Sequence, residues 1–135
     1  MRPAIGHTML RVADLDRALS FYVDVLGMDV VQREDYPGGE FTLVFVGYDG
    51  ASGVTIELTH NWGPQHAYTH GDAFGHVAIV VDDIEGLCAR VRSAGFDVTR
   101  PPGPMKHRTA SRAKPELIAF VRDADGYAVE LVQRG

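Results

Sequence analysis

His7-Thr-Met-Leu-Arg-Val12-Ala-Asp14 and His76-Val-Ala-Ile-Val-Val81-Asp-Asp83 are two versions of one phrase, 69 residues apart. Each opens on a histidine, runs through alternating and β-branched residues, and ends on an aspartate suited to cap a helix. Gly27-Met-Asp-Val30 returns as Gly95-Phe-Asp-Val98, and Thr55-Ile-Glu57-Leu58 returns as Ala128-Val-Glu130-Leu131. A chain that repeats strand start, helix stop and final strand in this order is built from two similar halves.

Each half reads as β-α-β-β-β. In the first, residues 5–12 predict a strand with His7, Met9 and Arg11 on one face. Asp14 caps a helix whose Leu15, Ala18, Leu19 and Tyr22 form one stripe, stopped by Gly27. Strands follow at 28–31, 41–46 and 54–59, with Pro37-Gly38-Gly39 as a turn. In the second, the expected elements are a strand at 76–82, a helix at 84–94 stopped by Gly95, and strands at 96–99, 117–121 and 127–132. Asp125-Gly126 makes the last turn. One such unit cannot bury both faces of its small sheet, whereas two side by side can. The expected fold is therefore α+β: a single domain, 1–135, of two tandem β-α-β-β-β modules (about 5–60 and 76–133). A linker at 61–75 joins them, and mixed sheets form a concave metal site. The proline-rich stretch 100–116 is expected to be a long loop.

Composition narrows the function. With 135 residues, 45% hydrophobic and 23% charged, the chain can build a substantial core. A formal net charge of −5 argues against nucleic acid as the main partner. No apolar run approaches membrane-spanning length, and the opening residues lead straight into a strand without a signal-peptide pattern. Cys88, the only cysteine, excludes an internal disulfide and fits a reducing, cytoplasmic setting. It lies in register with Ile84, Leu87 and Val91, as a core residue of one helix face.

His7, Glu57, His76 and Glu130 are the candidates for chemistry. Glu57 sits between Ile56 and Leu58, and Glu130 between Val129 and Leu131. Ionised glutamate in such apolar strands calls for a partner or a metal. Taken singly, each of the four could be a core histidine or a surface carboxylate. Taken as a repeated quartet of imidazole and carboxylate with no thiolate, they predict a divalent metal: nickel, cobalt, manganese or iron, or an expanded zinc site.

The stretches 7–15, Phe21-Tyr22 through Val25-Leu-Gly-Met28, Phe45-Val-Gly-Tyr48, Glu57-Leu-Thr-His-Asn-Trp-Gly63, Phe74-Gly-His-Val-Ala78 and Asp123 to Leu131 resemble the glyoxalase I (lactoylglutathione lyase) family, of the vicinal oxygen chelate superfamily. The resemblance runs from residue 7 to about 132. It implies metal ligation by His7, Glu57, His76 and Glu130, one His–Glu pair coming from each subunit of a homodimer with metal sites at the subunit interface. It implies that Arg11 and Asn61 hold glutathione. The short link between Gly63 and Phe74 resembles the nickel- or cobalt-activated branch, with zinc as the alternative. The implied substrate is the hemithioacetal of methylglyoxal and glutathione, isomerised to S-D-lactoylglutathione through a cis-enediolate. Glu130 would move the proton, with Glu57 as ligand and second shuttle.

Residues 107–116 depart from the family pattern. They read either as a solvated insertion or as an added carboxylate clamp with Lys106 or Arg108 as donors. Arg11 and Asn61 have plainer readings too, as a surface ion pair and a turn residue. Rival functions are an epimerase or extradiol dioxygenase on the same fold, or a non-catalytic protein that sequesters a small molecule. The dioxygenase needs two histidines and one carboxylate, and Glu57 fills a fourth position.

Overall fold

A computed structural model describes residues 1–107, 109–111 and 114–135. The chain divides into two compact units, Met1–Thr69 and His70–Gly135. Each carries one four-stranded sheet and one helical segment on a sheet face.

In the first unit, β1 (His7–Arg11) leads to α1 (Leu15–Leu19), then β2 (Asp29–Tyr36), β3 (Phe41–Gly47) and β4 (Thr55–Asn61). The sheet order is β1-β4-β3-β2, with β1 and β4 parallel and the other pairs antiparallel. Asp14 caps α1, its carboxylate accepting a hydrogen bond from the Arg17 amide at 3.1 Å. The helix does not continue as the regular stripe predicted. From Ser20 to Val25 it widens into a π-helical turn, in which the Leu26 amide donates to the Phe21 carbonyl at 2.9 Å. The wider turn buries Phe21, Tyr22, Val25 and Leu26, whereas Leu19, expected in the stripe, is only half-buried. Phe21 and Tyr22 pack edge to face, and each such burial contributes about 1.5–3 kcal/mol. Gly27, at φ +77°, ends the segment. Beneath the helix lie Leu10, Val44, Val46, Ile56 and Leu58, all buried.

The second unit repeats this plan with β5 (Val77–Val81), α2 (Ile84–Ser93), β6 (Val98–Pro104), β7 (Leu117–Arg122) and β8 (Ala128–Gln133), in the order β5-β8-β7-β6. Asp83 caps α2 through the Gly86 amide at 3.0 Å, and Ile84, Cys88 and Val91 face the core. The tight turn before β8 is built around buried Asp123, whose Oδ1 accepts from the amides of Asp125 and Tyr127 at 2.9 and 2.8 Å.

Three expectations need correction. β2 runs to Tyr36 because the hairpin with β3 satisfies its backbone, although its polar side chains give no periodic signal. Asn61 belongs to β4, not to a linker. Residues 100–104 are strand rather than loop. Prolines are tolerated there because β6 is an edge strand with two register breaks. The Arg100 guanidinium also donates to the carbonyls of Gly103, Pro104 and Ile118 at 2.9, 2.6 and 2.8 Å, which stitches the irregular edge to β7.

Candidate functional site

Strand alternation in β1 and β4 sends Leu10, Ile56 and Leu58 under the helix and places His7, Met9, Arg11, Glu57, Thr59 and Asn61 on the other face. The parallel register sets His7 opposite Thr55, so Glu57 is its diagonal neighbour. Their side chains meet, with His7 Nε2 3.1 Å from Glu57 Oε2. Phe45, opposite Glu57 on β3, stands edge-on to the His7 ring at 5.3 Å and 79°.

The second unit rebuilds this cluster. His76, one residue before β5, lies 3.3 Å from Glu130 Oε1 on β8. Phe120, opposite Glu130 on β7, stands edge-on to His76 at 5.3 Å and 80°. Both carboxylates are largely covered (12% and 16% exposed side chain), while both histidines are open (45% and 42%). A carboxylate held under apolar neighbours, with an accessible imidazole in front of it, could supply part of a metal site: each pair offers one nitrogen and one or two oxygens. Among the described residues, no group of three or more His, Cys, Asp or Glu is assembled.

The repeated Phe completes each pair and was not expected as part of the site. Its trace in the sequence is the shared Phe-Val step, Phe45-Val46 and Phe120-Val121, followed in each half by the strand that bears the glutamate.

Arg11 and Asn61 lie at the same end of the first sheet. Arg11 is opposite Thr59, two residues before Asn61, and both side chains are exposed. The Asn61 amide donates to the Tyr68 hydroxyl at 3.3 Å. Trp62, next in the chain, turns the other way. Its indole N–H donates to the Thr42 hydroxyl at 2.9 Å, beside a recess of about 290 Å³ that His60, Asp14 and Arg33 also border. Lys106 is exposed just beyond β6, where the Met105 amide donates to the Glu116 carbonyl at 2.8 Å. Arg108 lies outside the described residues. His70, within the stretch expected to be a linker, is half-buried and stacks on Tyr127 at 4.2 Å and 2°, with Phe74 edge-on to the same tyrosine. Burial holds the Cys88 thiol above its ordinary value of 9.0, and the thiol lies on the buried face of α2.

Comparison with known proteins agrees with this picture. Residues 4–131 match the Glyoxalase/Bleomycin resistance protein/Dioxygenase superfamily. A Synechocystis protein named "Probable lactoylglutathione lyase" is 53% identical over 128 residues, covering 94% of this chain and 92% of that one. The lactoylglutathione lyase of Neisseria meningitidis serogroup A is 50% identical, covering 95% and 88%. Among solved structures, glyoxalase I from Zea mays superposes with a TM-score of 0.86 at 36% identity. That match covers 97% of this chain, which spans only 44% of the maize protein. The Leishmania major glyoxalase I, described as trypanothione-dependent, superposes at 0.80 with 38% identity, covering 98% and 87%. With its matched span and two half-sites of one design, the chain belongs to the Glyoxalase/Bleomycin resistance protein/Dioxygenase superfamily, among relatives named lactoylglutathione lyase.

Proposed function

We propose that this protein is a lactoylglutathione lyase, which converts the hemithioacetal of methylglyoxal and glutathione to S-D-lactoylglutathione and so detoxifies methylglyoxal. The observation that carries the reading is the duplicated His–Glu–Phe cluster, in a chain half identical to proteins of that name. The donor set fits a divalent metal, because two imidazole nitrogens and two covered carboxylates leave coordination positions for substrate oxygens. His7, Glu57, His76 and Glu130 are the proposed ligands, nickel or cobalt the favoured ions and zinc the alternative.

When bound, the ion supplies Lewis-acid stabilisation of charge on the two adjacent substrate oxygens. The protein's part is positioning and proton transfer. Glu130 takes the proton from C1 of the hemithioacetal, which leaves a cis-enediolate. The same carboxyl returns the proton to C2 while the hydroxyl proton passes from the C1 oxygen to the C2 oxygen, so C1 becomes the thioester carbonyl and C2 bears the hydroxyl. Glu57, of matching geometry, is the ligand opposite and a second shuttle. Arg11 holds a glutathione carboxylate and Asn61 hydrogen-bonds the same end of the thiol. Lys106 and Arg108 offer further cations for a carboxylate at the other end.

Each unit holds one His–Glu pair. This supports a homodimer in which His7 and Glu57 of one chain meet His76 and Glu130 of another, with the two units of each chain acting as one domain. Among the described residues no helix is long and apolar enough to cross a membrane, and a lone, reduced Cys88 is compatible with the cytoplasm.

The test is thioester absorbance with methylglyoxal plus glutathione, using chelator-stripped protein reloaded separately with nickel, cobalt or zinc. Thioester formation that depends on metal is the expected result. Its failure with every metal, in protein that still binds them, would reject the activity. Formation only with a different thiol, as the Leishmania relative's description illustrates, would move the reading to that thiol.

A further inference from the structure

Thr42 is one of the few buried polar residues among those described, at 3% exposure, yet it lies on the face of β3 away from His7 and Glu57. Its hydroxyl donates to Asp35 Oδ1 at 2.7 Å and accepts the Trp62 indole N–H at 2.9 Å. Asp35 is opposite Thr42 on β2, and His60 is opposite it on β4, so the three strands are tied at one end of the sheet. The main chain adds a second tie. The Trp62 amide donates to the Glu40 carbonyl at 2.9 Å, and Glu40 sits at φ +57°, the only non-glycine residue with positive φ among those described. A left-handed non-glycine residue persists only where its surroundings hold it. Trp62 is thus pinned at both its main chain and its ring, although the residue is 41% exposed.

Alternation gives these ties their consequence. Fixing Trp62 toward the helix side turns Asn61 toward the face that bears Arg11 and the His7–Glu57 pair. We propose that Thr42 is a positioning residue for the thiol: the Asp35–Thr42–Trp62 relay locks the end of β4 and so sets where Asn61 presents its amide. The inference rests on the reading that Asn61 holds glutathione. A hydroxyl is required at position 42, because valine of the same shape would leave both the indole N–H and the Asp35 carboxylate without it.

The chain has a single tryptophan, so its emission reports on Trp62 alone. The experiment compares Thr42→Val, Thr42→Ser, Trp62→Phe and Asn61→Ala in the metal-loaded protein, with hemithioacetal kinetics for all four. For the two Thr42 variants and the wild type, it adds acrylamide quenching of Trp62 and titration with glutathione alone. Loss of one hydrogen bond to substrate predicts that Thr42→Val raises KM roughly tenfold with kcat little changed. Quenching should rise in the same variant, and Thr42→Ser should restore both. Trp62→Phe keeps an aromatic ring and removes the donor, and should raise KM likewise; it carries the test if Thr42→Val does not fold. A normal KM in Thr42→Val and Trp62→Phe, with Asn61→Ala impaired, overturns the relay alone. A normal KM in Asn61→Ala would overturn the thiol reading and the relay together. A fall in kcat without a change in KM would also reject a binding role.

Discussion

Glu130→Gln separates what the two matched half-sites share from what they do not. The two Glu–His distances, 3.1 and 3.3 Å, and the two ring geometries are so alike that each glutamate is expected to contribute equally to holding the proposed metal. Metal at a hundredfold its dissociation constant stabilises the loaded protein by about 2.7 kcal/mol. If the amide weakens metal binding roughly tenfold, about 1.4 kcal/mol of that remains, and the metal-induced rise in Tm shrinks by several degrees. Glu57→Gln should lose the same amount. Turnover should diverge. Removing a general base costs about 10²–10⁴ in rate, or roughly 2.7–5.4 kcal/mol of barrier. Thermal melts with and without metal, paired with thioester formation at saturating metal, read both quantities. The expected result is equal losses of metal-induced Tm and a far slower Glu130→Gln enzyme. Turnover within about tenfold of wild type in Glu130→Gln, or a deeper loss in Glu57→Gln, would refute the assignment of the base.

Further outcomes follow from local geometry. Asp14→Ala and Asp83→Ala each remove a cap hydrogen bond, and each should cost about 1 kcal/mol in urea unfolding without altering metal binding. Glu40→Gly relieves the left-handed backbone at φ +57° and should leave stability unchanged or raise it by up to about 1 kcal/mol, measured by Tm. Burial keeps the Cys88 thiol protonated to higher pH than in the unfolded chain. Its contribution is therefore complete below pH 9.0 and is lost as pH rises through the folded value. The stability gap between wild type and Cys88→Ala should narrow between neutral and strongly alkaline pH; a constant gap would contradict the burial effect. In the native protein this thiol should also resist alkylating reagents, since it is fully buried.

Much of the fold could be read from residue order because its signals are local. Asp14 and Asp83 cap, Gly27 and Gly95 stop, and Ile-Glu-Leu or Val-Glu-Leu alternates across a half-covered strand; each needs only its neighbours in sequence. The misreadings have the opposite origin. Gln32–Tyr36 is strand because β3 lies beside it, not because of its own side chains. Pro101-Pro102-Gly103-Pro104 is strand because Arg100 and the edge position of β6 compensate for missing amides. The π-helical turn reflects the need to bury neighbouring Phe21 and Tyr22 together.

The candidate site divides along the same line. That His7 goes with Glu57 and His76 with Glu130 was legible because duplication writes the pattern twice, and the apolar flanks of each glutamate mark it as unusual. Pairing within each half depends on the parallel register of first and last strands, which brings residues about 50 positions apart to 3.1 and 3.3 Å. Phe45, Phe120 and the Thr42 relay come from strands that join these pairs only across the sheet. Sequence periodicity states which face a side chain takes. Which side chains then meet depends on register between strands, set by backbone hydrogen bonds and core packing that no single segment contains.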